Sequence, residues 1–169
     1  IANYANGGTA SLTVIDCNIH DNTASKMGGG IYTWVFGSGK AFTTIIGSDI
    51  HDNEAVAGGG ISSDDYEVDG LSMTLIGSNI HNNTAQYGGG NENWANWGKT
   101  SMTMTNSNIY DNNAQYGGGI YNTGTNVKVV FFDQAGNIIS GYDPNNNDYL
   151  YFFGPTIDGP DNTPDDFYS

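Results

Sequence analysis

Apolar and polar residues alternate along this chain in short runs, broken by small turn residues, and the whole pattern repeats. Leu12, Val14 and Ile19 recur as Thr43, Ile45 and Ile50, then as Met73, Leu75 and Ile80, and again as Met102, Met104 and Ile109. Alternation with a period of two over four to six residues predicts strands. No stretch carries three successive turns of helical apolar spacing. The strands are separated by Asp16-Cys17, Gly47-Ser48, Gly77-Ser78 and Asn106-Ser107, which read as turns. A Gly-Gly-Gly triplet then bends the chain into a third strand beginning at Ile31, Ile61, Asn91 and Ile120.

The triplets begin at Gly28, Gly58, Gly88 and Gly117, in steps of 30, 30 and 29 residues. A fixed period of this size marks stacked units, none of which can bury its apolar face alone. Stacking like strands about 4.8 Å apart turns equivalent residues into ladders along one axis. Ile19, Ile50, Ile80 and Ile109 form the expected inner seam. Asn22, Asn53, Asn83 and Asn112 form an amide ladder, and Ala24, Ala55, Ala85 and Ala114 fit a tight corner. The expected fold is all-β, a right-handed parallel β-helix of about four to five coils over residues 1–130. Past Ile120 the repeat dissolves. Gln134 to Asn137 read as a turn between two strand-like runs, giving a capping hairpin over residues 131–153. Residues 154–169, with Pro155, Pro160 and Pro164, read as an extended acidic tail. Ile1 aligns with Ile31, so the first coil is half formed and its strands call for a partner above them.

The motif Ile-x-x-Asn followed by Gly-Gly-Gly-Ile resembles the repeats of polymorphic outer-membrane proteins, which carry Phe-x-x-Asn and Gly-Gly-Ala-Ile. The resemblance covers roughly residues 1–130. It implies a β-helical passenger of a secreted adhesin, within the wider pectate-lyase-like superfamily. Here Ile replaces the Phe, and no sequence for an outer-membrane barrel is seen.

Composition narrows the partners. Four basic residues, all Lys, face 18 acidic ones, for a net charge of −14. Such a polyanion is repelled by nucleic acid and by anionic membrane surfaces. No apolar run reaches the roughly 18 residues of a membrane-spanning helix. The expected setting is extracellular or at a cell surface. Cys17 is the single cysteine, in a slot that Ser48, Ser78 and Ser107 fill in later coils.

Three longer insertions follow the third strand of the coils. Ile31 to Thr43, Ile61 to Met73 and Asn91 to Met102 span 12, 12 and 11 residues, against 7 from Ile120 to Val127. Insertions of this kind map to one flank of a solenoid, often the binding flank. They carry Trp34, Phe36, Tyr66, Trp94 and Trp97, rings that stack on sugars or anchor a protein interface, or that pack on one another over the sheet. His20, His51 and His81 form an outward ladder with Tyr110. Each follows an inward Ile, and no second ligand set lies nearby to complete a metal site. Asp143, Asn145 and Asn147 resemble the start of a calcium loop, yet the Gly at position six is missing and Gly154 stands where a bidentate Glu belongs. The run reads as a polar turn first and a Ca²⁺ site second. Asn82 opens the one N-glycosylation sequon, on an outward turn.

By resemblance, lyases of the superfamily use clustered Asp with Ca²⁺ and an Arg or Lys base, and its hydrolases use paired or triple Asp. This chain has no Arg, and its adjacent pair, Asp64 and Asp65, should point to opposite faces of a strand. Glycoside hydrolysis needs two carboxyls converging at about 5–9.5 Å, which the ladders do not promise. The expectation is a non-catalytic extracellular structural or interaction protein without a cofactor, assembling end to end with copies of itself. The alternative is a carbohydrate-binding or carbohydrate-active β-helix, or an adhesin passenger fragment.

Overall fold

The computed structural model describes residues 1–66, 70–124, 127–132, 138–142 and 167–168. It is a parallel β-solenoid of about four turns, and no helix occurs among the described residues. Three sheets wrap one core. The first is built from Ala2–Asn6, Ile31–Phe36, Ile61–Asp65, Asn91–Ala95 and Ile120–Gly124. The second stacks Thr9–Ile15, Lys40–Ile46, Leu71–Ile76, Thr100–Thr105 and Val127–Phe132. The third is narrow: Asn18–His20, Asp49–His51, Asn79–His81 and Asn108–Tyr110. Thr84–Tyr87 and Asn113–Tyr116 pair along a fourth edge.

The registers are those that the repeat predicts. Leu12 faces Thr43, Thr43 faces Met73 and Met73 faces Met102. Ile19, Ile50, Ile80 and Ile109 are neighbours in one buried file. Full burial of an aliphatic side chain of this size is worth about 1.5–3 kcal/mol, so the file is a main source of stability. The amide ladder forms beside it. Asn22 Nδ2 donates to Asn53 Oδ1 at 2.9 Å, Asn53 Nδ2 to Asn83 Oδ1 at 3.0 Å, and Asn83 Nδ2 to Asn112 Oδ1 at 3.0 Å. The same amides donate to the carbonyls of Ile19, Ile50 and Ile80, tying each coil to the one before.

The corners follow from small residues. Gly28, Gly58, Gly88 and Gly117 all lie at φ of 60–62°, a region that costs an L side chain strain. A Cβ at Gly88 would meet the Asn91 carbonyl oxygen at 2.3 Å. At the next turn Ser48 N donates to Ser78 Oγ at 3.2 Å and Ser78 N to Ser107 Oγ at 3.1 Å. Cys17 occupies the same slot, its amide donating to Ser48 Oγ at 3.1 Å.

At the far end Val127–Phe132 pairs antiparallel with Ile138–Tyr142, giving the expected hairpin strands. Phe167–Tyr168 pairs parallel with Ile120 and Tyr121. The described part of the tail therefore adds a short rung to the first sheet, where prolines in the sequence had suggested an arm clear of the stack. The remaining tail and the Asp143, Asn145 and Asn147 run lie outside the described residues.

Candidate functional site: an aromatic face over a carboxyl pair

Alternation along the first sheet sends Ile31, Thr33 and Val35 into the core and Tyr32, Trp34 and Phe36 outward. The stacking register carries this outward set from coil to coil. One row reads Ala2, Tyr32, Ser62, Glu92, Tyr121. The next reads Tyr4, Trp34, Asp64, Trp94, Thr123. Rings from four successive coils, with Tyr66 supplied by the second insertion, join into one band: Tyr4 to Trp34 at 4.8 Å, Trp34 to Tyr66 at 5.9 Å, and Tyr66 to Trp94 at 4.4 Å between centroids. Tyr32 and Phe36 flank Trp34 at 6.4 and 6.3 Å. Edge-to-face and tilted pairs at these separations each contribute about 0.5–1.5 kcal/mol beyond area burial.

Of the residues that the insertions nominated, Trp34, Phe36, Tyr66 and Trp94 come together in this band. Trp97 does not: it is 75% exposed at the end of the third insertion. Asn82 is exposed on a left-handed turn at φ 53°.

Beneath the rings lies a group of polar side chains that the sequence reading missed. Asp64 and Asp65 do point to opposite faces. Asp65 turns inward and accepts from the amides of Gly70 and Lys99, both at 3.2 Å, closing two loops. Asp64 turns outward and meets Glu92 of the next coil, to which it is hydrogen-bonded. Ser62 Oγ lies 2.9 Å from Glu92 Oε2 and 3.2 Å from Asp64 Oδ1, and the Tyr32 hydroxyl donates to Asp64 Oδ2 at 3.0 Å. So two carboxyls do converge, contrary to the expectation from adjacent residues. Convergence comes from the coil-to-coil register: Ser62 faces Glu92 directly, so Asp64, two residues on, is its diagonal neighbour. The signal was present in the sequence as Asn91 aligned on Ile61, which makes Glu92 the first outward residue of its strand.

Both carboxyls are enclosed, Asp64 at 0% and Glu92 at 4% exposure. The glycine corner contributes, since the Gly88 position is so close that a Cβ there would stand 2.9 Å from Glu92 Cβ. Burial pushes the Glu92 carboxyl well up from its ordinary value, and the neighbouring Asp64 charge pushes it further. Burial also raises Asp64, opposed by its hydrogen bonds from Glu92, Tyr32 and Ser62. No basic side chain is among the groups that act on either one. With both carboxyls pushed upward by burial, ionising the two together is disfavoured, and the proton kept at neutral pH belongs to the pair rather than to either residue. Burial, then Asp64, likewise holds the Tyr32 phenol neutral.

No protein-family model matches this chain, and no curated protein or solved structure matches it. A histidine ladder forms a second constellation outside the core among the described residues. His20, His51, His81 and Tyr110 stack at 5.1, 5.0 and 4.8 Å. Their ring nitrogens turn to Asp21, Asp52 and Asp49 at 2.6, 2.6 and 2.8 Å. Among the described residues no three His, Cys, Asp or Glu side chains gather as metal ligands.

Proposed function

We propose that this chain is a non-catalytic, extracellular carbohydrate-binding β-solenoid that holds an uncharged glycan on the outer face of its first sheet. The observation that carries the reading is the aromatic band of Tyr4, Trp34, Tyr66 and Trp94 laid over Ser62, Asp64 and Glu92. Rings supply an apolar platform for the C–H faces of sugars, and the buried polar group beneath holds that platform in place. Coil spacing of about 4.8 Å suits a chain of sugars running along the solenoid axis. The charge of −14 disfavours acidic polysaccharides. Glycoside hydrolysis needs carboxyls separated by about 5–9.5 Å. Asp64 and Glu92 are instead in direct hydrogen-bond contact, which supports binding without cleavage. The likeness of the repeats to those of outer-membrane adhesins favours the same surface role.

Retention on immobilised mannan and cello-oligosaccharides, with polygalacturonate as the acidic comparison, is the test. The double substitution Trp34→Ala and Trp94→Ala should weaken binding to the neutral glycans. Removing two ring contacts costs about 1–3 kcal/mol, or roughly fivefold to 150-fold in affinity. Trp97→Ala should bind as the parent does, and the circular dichroism of all variants should match. Release of reducing ends, or equal retention by the double variant, would count against the reading.

A second reading, end-to-end assembly, has its own observation. Ala2–Asn6, Thr9–Ile15 and Asn18–His20 are each paired on one side only. Such edges are completed by a further coil of the same polypeptide or by another molecule. Sedimentation of this chain should then show self-association that strengthens with added salt, as the charge of −14 is screened. A monomer at every salt concentration would remove this reading.

A further inference from the structure

We propose that Asp64 and Glu92 form a proton-operated latch beneath the aromatic band: while they share a proton, Trp34, Tyr66 and Trp94 stay packed over a neutral floor, and loss of that proton releases them. As a regulator of the glycan face the latch rests on the function proposed above. The release of the rings itself does not.

The geometry makes the proton a structural part. Asp64 stands in register between Trp34 on one side and Trp94 on the other. It and Glu92 are shut off from water, and their hydrogen-bonding partners are each other, Tyr32 and Ser62. Among the described residues the titratable groups facing the pair are all phenols: Tyr32 on the preceding strand, Tyr66 on the following loop, and Tyr121 on the next strand with Tyr87 packed 5.4 Å from it. Asp65 faces the core instead. Among the described residues no cation is therefore in place to take up a second negative charge. Two carboxylates in contact inside a low-dielectric enclosure repel strongly, and burial without a counter-ion adds to the cost.

Relief requires water to reach the pair, and the rings that exclude it are those of the binding face. Tyr66 is the keystone, in contact with both Trp34 and Trp94. Admitting solvent beside Asp64 separates these rings and breaks up the platform. Closed and protonated is thus the binding form, open and ionised the releasing form. Ligand on the closed face would in turn hold the proton more tightly.

The full chain carrying Trp97→Phe, which removes the exposed indole, isolates the emission of Trp34 and Trp94. Titration in chelator, so that no divalent cation replaces the proton, should give one fluorescence transition above the ordinary carboxyl range. Glu92→Gln in that background should abolish it, and Asp64→Asn should do the same if Glu92→Gln fails to fold. In the parent, affinity for mannan should fall about tenfold per pH unit above that transition, and in the variant it should not change with pH. A transition that survives both substitutions, or no transition at all, overturns the latch. A transition that vanishes with Glu92 in a protein that retains no glycan upholds the latch and defeats the carbohydrate reading.

Discussion

Ile80→Asp should leave this chain unfolded. Ile80 is 0% exposed, stacked between Ile50 and Ile109 in the file that runs through the core. The substitution removes apolar burial, a loss of about 2–5 kcal/mol for Ile truncated to Ala. It also places a carboxylate where no cation stands, a further penalty of several kcal/mol. Space offers no escape, because a Cβ added at Gly60 would already lie 3.0 Å from Ile80 Cγ2. Against a total stability of about 5–15 kcal/mol, the sum is decisive. Coils support one another only through their neighbours, so failure in a middle coil separates the stack into two weaker halves. Far-ultraviolet circular dichroism should show loss of the β signature. Ile80→Val, costing about 0.5–1.5 kcal/mol, should remain folded with a lowered midpoint. An Ile80→Asp protein that melts with the parent would mean that residue 80 does not face the core.

The core could be read in advance because every coil solves the same packing problem. Ile50 and Ile80 are interchangeable in environment, so the sequence repeats them, and the repeat reveals their register. Asn53 and Asn83 are legible for the same reason, since each amide must both receive and give along the ladder. The outer face of the first sheet has no such constraint. Tyr32, Ser62 and Glu92 differ from coil to coil although they occupy equivalent positions, and the meeting of Asp64 with Glu92 lies in a diagonal that no ladder displays. The inner side of that sheet departs from the apolar rule as well. Asn93 is buried and donates to Asn122 Oδ1 at 2.9 Å, a polar strip that period-two alternation does not distinguish from an apolar one. A local change explains the third histidine. His20 and His51 are each followed by an Asp that accepts from Nδ1, whereas His81 is followed by Asn82 and turns Nε2 to Asp49 of the coil before.

Glu92→Gln should make the protein more stable at neutral and alkaline pH and remove a downward slope from its stability curve. In the native state burial, reinforced by Asp64, raises the Glu92 carboxyl well above its usual value. The unfolded chain releases that proton near pH 4.3. The sign follows from linkage: a group that binds its proton more tightly when folded stabilises the fold below its unfolded pKa. That contribution is lost as pH climbs from there to the raised folded value. Each unit of elevation corresponds to about 1.4 kcal/mol, and each kcal/mol moves the melting midpoint of a chain this long by about 2–4 °C. Glutamine keeps the shape and can donate to Asp64 from its amide without any proton to lose. Asp64 can then stay ionised, with Tyr32, Ser62 and the amide all donating to it. The other carboxylates of this acidic chain also titrate, so the informative quantity is the difference between parent and variant melting midpoints. From about pH 4 upward that difference should move steadily in favour of Glu92→Gln. It should level off once the parent pair has ionised. Two melting curves that run parallel across the whole range would show that Glu92 carries no tightly held proton.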